Sequence, residues 1–332
     1  MSVVLGNLTE EERISLFGES SALYDVLKAL AAVAQQLRVE LQRAPCRAYP
    51  SKTACKNTSN DLQHALDLLA NELFQEKLTA CGHVRVVASE ENDIPSTVGD
   101  VKAPYVVALD PLDGSDNIDV NGSVGALFSI YPSSALSTCA SEGLAWPTGC
   151  TQLAAGYTLY GSATTLVCTA GKGVHEFVFC ASRADFVLAN AHISIPKQGK
   201  SYAINDGHSC TFPLGVRKYI EKCRGDYTAR YSGSVVADFH RHIKQGGIFL
   251  YPPTRVHRRG KLRLLFEANP LALLAQQAQG LASDGTCDVL SVPCTEVHQR
   301  TPLYIGSTSM VTTLLETLQM HPRFEGDSSS RS

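Results

Sequence analysis

The segment 105–118, YVVALDPLDGSDNI, constrains the fold of this chain more than any other stretch. Its apolar run stops at Asp110 and Asp113, two acids three residues apart, and Pro111, Gly114 and Ser115 punctuate the same few residues. A short apolar run bounded by turn residues reads as a buried strand. Such a strand must be covered on both faces, which calls for helices layered on sheets. Paired carboxylates at its end suit a hard cation, which takes oxygen ligands. The backbone N–H groups of a following turn can cradle an anion.

Other acids share this setting. Glu90 and Glu91 follow the strand-like VRVVAS, Glu267 follows KLRLLF, and Asp67 interrupts a leucine-rich helix that Asp61 opens. Any one of these motifs reads equally well as a solvated turn, since Asp-Gly turns are common. Together they point to one site, because α/β sheets gather their sites at strand carboxyl ends. Adjacent carboxylates repel unless something positive neutralises them. A Mg²⁺ cluster does so and also polarises a phosphoryl oxygen.

The chain has 332 residues, enough for one large or two medium domains. A net charge of −3 supplies no basic field for nucleic acid. No apolar run approaches the ~20 residues of a membrane span. The N-terminus, MSVVLGNLTEEER, lacks a signal or transit pattern, so a cytoplasmic location is expected. The 11 cysteines lack zinc-like spacing and read as reduced thiols. Cys46 and Cys55 read as free thiols, with a regulatory disulfide as the alternative.

Leu23, Val26, Leu27, Leu30, Ala34, Leu37 and Leu41 recur at three- and four-residue steps. They predict a helix capped by Ser20 or Ser21. A second helix is expected over 61–77, with Leu62, Leu66, Leu69 and Leu73 inward. Strands are expected over 84–88, 105–109, 124–131, 154–160, 164–169 and 175–180. After the Pro/Gly-bearing segment 193–200 come a helix near 214–223, strands at 247–251 and 261–266, and a helix over 269–279. The resulting expectation is an α/β fold with mixed sheets. An N-terminal domain (1–195) carries most metal ligands. A C-terminal domain (196–325) follows it, and 326–332 is a disordered tail.

Four strings carry a resemblance: SEE at 89–91, DPLDGS at 110–115, RYSGS at 230–234 and KLRLLFE at 261–267. They resemble the class I sugar bisphosphatases, the family of fructose-1,6-bisphosphatase and sedoheptulose-1,7-bisphosphatase, over roughly 53–317. DPLDGS alone also suits inositol monophosphatase relatives; KLRLLFE narrows the likeness to bisphosphatases. The resemblance implies a layered α-β-α-β-α sandwich and a Mg²⁺-dependent 1-phosphatase with two or three ions per site, Mn²⁺ being a substitute. It implies that Glu90, Asp110, Asp113, Glu267 and the Leu112 carbonyl hold metal. Asp61, Asp67 and Glu91 would help hold a loosely bound metal and prepare the attacking water. Gly114 and Ser115 would face the scissile phosphate, and Asn205, Arg230, Tyr231, Tyr251 and Lys261 the sugar and its distal phosphate. In the family the arginine reaches in from a neighbouring subunit, so Arg230 implies a homodimer or homotetramer.

Departures from the family pattern matter too. Asp116 replaces a second serine beside the phosphate turn, and His208 stands where a substrate-side tyrosine is usual. Pro104 and Pro132 occupy positions that carry a lysine and an arginine in AMP-inhibited relatives, so familiar AMP inhibition is not expected. TAC at 53–55, HEF at 175–177, Phe266 in LLFE and SDG at 283–285 lean to the sedoheptulose branch. NDG at 205–207, FLYP at 249–252, Asn269-Pro270 and HQR at 298–300 lean to the fructose branch. The reading is a sedoheptulose-1,7-bisphosphatase, with a fructose or dual-substrate enzyme as the alternative. A non-catalytic sugar-phosphate sensor is a remote rival, disfavoured by the complete acid set.

Overall fold

Leucines at helical spacing build the N-terminal layer of the computed structural model, which describes residues 3–44, 65–139 and 143–321. Asp61, Cys46, Cys55 and the 326–332 tail lie outside the described residues. Helix α1, Glu10–Phe17, opens with a Thr9–Glu12 capping box that the sequence reading passes over. Helix α2, Ser21–Arg43, is capped by Ser20, whose hydroxyl accepts from Leu23 N. Its stripe from Leu23 to Leu37 is buried and packs on α3, Ala65–Ala80. In α3, Leu66 and Leu73 are buried, and so is Asp67 in the first turn.

The larger sheet contains β1 (Val84–Ser89), β2 (Ser96–Thr97), β3 (Tyr105–Asp113) and β4 (Val124–Pro132). A hairpin, β5 (Ser137–Cys139) and β6 (Gly143–Ala145), follows outside it. Then come β7 (Ala154–Tyr160), β8 (Thr164–Thr169), β9 (His175–Cys180) and β10 (Asp185–Asn190). The strand order is β10-β9-β8-β7-β4-β3-β1-β2, with β3 parallel to β1 and antiparallel to β4. Every residue of β3 is buried. Val107 and Leu109 join the core under α2 and α3, while Val106 and Ala108 face the opposite core. This two-sided burial explains the unbroken apolar run.

The C-terminal half contains β11 (Ser201–Ala203), α4 (Leu214–Asp226), β12 (Thr228–Ala229), α5 (Val235–Gln245) and β13 (Ile248–Tyr251). It continues with β14 (Leu262–Arg263), α6 (Asn269–Gln277), β15 (Leu281–Ser283), β16 (Arg300–Thr301), β17 (Leu303–Gly306) and α7 (Thr308–Met320). A second sheet runs β12-β11-β13-β17-β15. Helices α5 and α6 fill the space between the two sheets, and α4 and α7 cover the outer face of the second. The layers are therefore α-β-α-β-α.

Two expected elements differ from those found. The strand expected over 261–266 is β14 alone; the chain then winds into a π-helical turn, Leu264–Ala268. All five of its residues are buried. A run buried on every side carries no period, so a strand and a helical turn read alike. Strand β3 also continues past Leu109 to Asp113. Its pairing with β4 shifts register between Asp110 and Asp113, where Pro111 has no N–H for the ladder. Helices α5 and α7 are not anticipated from the sequence.

Candidate active site

Four segments converge on one cleft of about 270 Å³. The end of β1 brings Glu90 and Glu91, and the irregular end of β3 brings Asp110, Leu112 and Asp113. The π-helical turn brings Glu267, and the first turn of α3 brings Asp67. The irregularity in β3 has a direct consequence. It lets Asp110 and Asp113, which strict alternation would set on opposite faces, line the same cleft. Carboxylate oxygens of Asp110, Asp113 and Glu267 lie within 4.8 Å of one another.

Backbone groups fix these acids. Leu112 N donates to Asp110 Oδ1 at 3.0 Å, and Arg263 N donates to Glu267 Oε2 at 2.7 Å. Asp113 lies across the start of α5, accepting from Val236 N at 3.0 Å and Val235 N at 3.3 Å. Arg263 Nη1 donates to Glu90 Oε1, while Glu90 Oε2 is buried without a hydrogen-bond partner.

Burial is the main electrostatic influence here. It pushes the Glu90 carboxyl up to about 7, with Arg263 opposing and Glu91 and Asp113 adding to the rise. Burial also raises Asp110 well above the usual carboxylate range, helped by Glu90, Asp113 and Glu267. Glu267 is raised by burial and by Glu90. For Asp113, burial outweighs the hydrogen bonds from Ser234, Val236 and Val235 that favour its ionised form. Among the described residues seven carboxylates and three cations, Lys261, Arg263 and Arg300, line the cleft. A surplus of buried oxygen ligands fits divalent metal ions, which would neutralise what three cations cannot.

The residues expected to face phosphate and sugar are divided. Gly114, Ser115, Tyr251 and Lys261 line the cleft with the acids. Gly114 adopts φ 76°, and a Cβ there would sit 2.8 Å from Ser234 Cβ, so this turn requires glycine. Asp116 lines the cleft and is exposed. Burial holds the Tyr251 hydroxyl protonated, and nearby Tyr231 and Glu267 act the same way. Asn205, His208 and Arg230 are exposed and do not line this cleft. Arg230 lines a separate cleft of about 550 Å³ with Lys200, Arg241 and Lys244.

Three residues at or behind the cleft carry no role in the sequence reading. Arg263 and Arg300 sit inside the quoted strings KLRLLFE and HQR, so a signal was available. Ser234 ends RYSGS, but its contact with Asp113 spans 121 residues of chain and leaves no local pattern.

Comparison with known proteins decides the family. The family models described as the fructose-1,6-bisphosphatase N-terminal and C-terminal domains match residues 4–191 and 195–319. The chain belongs to the fructose-1,6-bisphosphatase family. Members of this family are metal-dependent phosphoric monoester hydrolases acting on sugar bisphosphates. The chain is similar to fructose-1,6-bisphosphatase of Leishmania major in its holo form, with 32% identity and a TM-score of 0.84. That match covers 90% of this chain and 94% of the other. The apo form of the same enzyme matches with 31% identity, a TM-score of 0.78 and the same coverage. No helix among the described residues is long and apolar enough to cross a membrane.

Proposed function

We propose that this family member hydrolyses the 1-phosphate of a sugar bisphosphate with Mg²⁺, acting on sedoheptulose 1,7-bisphosphate. The single observation that carries the reaction is the convergence of Asp110, Asp113 and Glu267 beside Glu90 and Glu91 in one buried cleft. The sedoheptulose assignment rests on the sequence strings above. The matches to fructose-1,6-bisphosphatase favour fructose 1,6-bisphosphate as the rival substrate. The two sugars differ by one hydroxymethylene unit, a distinction worth about 1–3 kcal/mol without a dedicated polar contact. Steady-state kinetics with both bisphosphates tests the choice. A preference for fructose 1,6-bisphosphate of about tenfold or more, or 1.4 kcal/mol, assigns the rival.

In this mechanism Glu90, Asp110, Asp113, Glu267 and the Leu112 carbonyl would hold the ions. When bound, Mg²⁺ polarises the phosphoryl oxygens and neutralises charge that develops on them. Asp67 and Glu91 take the proton of the attacking water, with Asp61 assisting; as the water oxygen bonds to phosphorus the bond from phosphorus to the sugar oxygen breaks, and that proton passes to the sugar oxygen to leave a hydroxyl. The N–H groups of Gly114 and Ser115 orient the scissile phosphate in line with that water. Lys261 and the protonated Tyr251 face the distal phosphate and oppose its charge. Asn205, His208, Arg230 and Tyr231 complete the sugar and distal-phosphate contacts in a homodimer or homotetramer, Arg230 entering a neighbouring subunit's site.

Lys261 separates bisphosphatase from monophosphatase chemistry. Losing one charge-assisted contact to the distal phosphate should raise KM for the bisphosphate about tenfold or more in Lys261→Ala. Hydrolysis of a monophosphate should hardly change. Equal effects on both would detach Lys261 from the distal phosphate.

AMP is a second discriminating ligand. The structure sets Pro104 and Pro132 side by side, Ser133 N donating to Pro104 O at 2.7 Å and Tyr105 pairing with Pro132. Neither proline offers charge or an N–H donor to a nucleotide phosphate. Micromolar AMP is expected to leave turnover unchanged, and inhibition in that range would contradict this assignment.

A further inference from the structure

Ser234 meets Asp113 in a contact with more constraint than helix capping requires. Its side chain is fully buried at the N-cap of α5. The hydroxyl accepts from Ala237 N at 3.2 Å and donates to Asp113 Oδ2 at 2.5 Å. The same carboxylate takes the N–H groups of Val235 and Val236, so it is bound on three sides by one short segment.

That segment is itself anchored. Asn117 Nδ2 donates to Ser232 O at 3.1 Å and to Ser123 O at 3.0 Å. Ser232 N donates to both oxygens of Asp238, at 3.0 and 3.1 Å. Gly114 packs directly on Ser234, leaving no room for a Cβ between them. The backbone at Ser234 therefore cannot shift away from Asp113 without moving α5 or the turn at Gly114.

We propose that Ser234 is a positioning residue for the metal centre, aiming Asp113 at the ion through its hydroxyl. This rests on the reading of Asp113 as a metal ligand. A carboxylate has about four acceptor sites, so three fixed donors leave a defined remainder for a cation. Partners that orient metal-binding groups typically alter affinity about 10- to 100-fold when removed. The alternative is that Ser234 merely caps α5, which predicts a change in stability but none in metal affinity.

Binding of Mn²⁺ to the full chain, followed by the EPR signal of free Mn²⁺, distinguishes these roles without an activity assay. Ser234→Gly removes the hydroxyl yet keeps a tolerated N-cap residue. It should weaken Mn²⁺ binding about tenfold or more. Ser20→Ala removes the corresponding cap of α2 and should leave Mn²⁺ affinity unchanged. Ser234→Cys keeps a weaker donor at the same place and gives a second test should the glycine variant fail to fold. Its affinity should fall between wild type and glycine. Wild-type affinity in the glycine variant, or in the cysteine variant where glycine does not fold, overturns the positioning role while leaving Asp113 a ligand. Absence of Mn²⁺ binding by the wild-type protein overturns the metal centre itself.

Discussion

Asp110→Asn is expected to lower turnover about a thousandfold or more, because charge stabilisation worth several kcal/mol is lost with one ligand charge. The fold should survive. Asparagine keeps an oxygen of the same reach to accept from Leu112 N, the bond that shapes the end of β3. The electrostatics add a second, opposite expectation. Asp110 is crowded by Glu90, Asp113, Glu267 and Glu91, all of which oppose its ionised form. Neutralising it relieves that repulsion when no metal is present. The variant should therefore melt no lower than wild type in a chelator, and higher at pH 8. Turnover near wild type would remove Asp110 from the metal set. A lower melting point in chelator would show that its charge is balanced by the protein's own cations, chiefly Arg263.

Chelation should have a pH-dependent effect on stability. Glu90, Asp110, Asp113 and Glu267 all have carboxyls raised above their ordinary values, mainly by burial. A raised carboxyl binds its proton more tightly in the folded state. Its contribution is therefore fully present below the unfolded value, about 4 for a carboxylate, and is lost as pH rises through the folded value. For Glu90 that window closes near 7. Metal-free protein should lose stability progressively from about pH 4 to 7 and beyond, through these groups. Mg²⁺ should reverse the loss, and its stabilising shift in Tm should grow with pH over that range. Comparing the two states at each pH cancels groups remote from the site, such as His175 and His242, which burial lowers to about 4 and which act in the opposite sense. Arg263 and Arg300 line the cleft with the cluster and travel with it, and His298 lies beside both arginines. A Mg²⁺ shift independent of pH would mean that these carboxyls are already ionised without metal.

Much of the site was legible because its chemistry is written in local strings. Glu90, Glu91, Asp110, Asp113 and Glu267 each end an apolar run, and the structure gathers all five at one cleft. Asp67 stood out as an acid among leucines, and its burial follows from α3 packing on α2 and the sheet. Helix α2 was readable through its stripe, and β3 through its unbroken apolar run. Helix α5 was not, although Val235, Val236, Phe239 and Ile243 recur at helical steps within it. Its N-cap, Ser234, is the last residue of the RYSGS motif, which reads first as a ligand loop. The 261–266 segment failed for a different reason: total burial erased the period that separates a strand from a π-helical turn.

The amino-acid sequence by itself determined the acids, the placement of Glu90, Asp110 and Asp113 at strand ends, the glycine of the turn after β3 and the family they belong to. These depend on neighbours a few residues apart, within reach of local sterics and hydrogen bonding. Only the tertiary structure decided that the irregular end of β3 turns Asp110 and Asp113 to one side, and that Arg263 bonds Glu90. It alone set Asp113 against Ser234 at the start of α5. Those contacts join segments about 120 to 170 residues apart. They exist because packing two sheets around shared helices leaves buried charges that must find partners wherever the chain brings them.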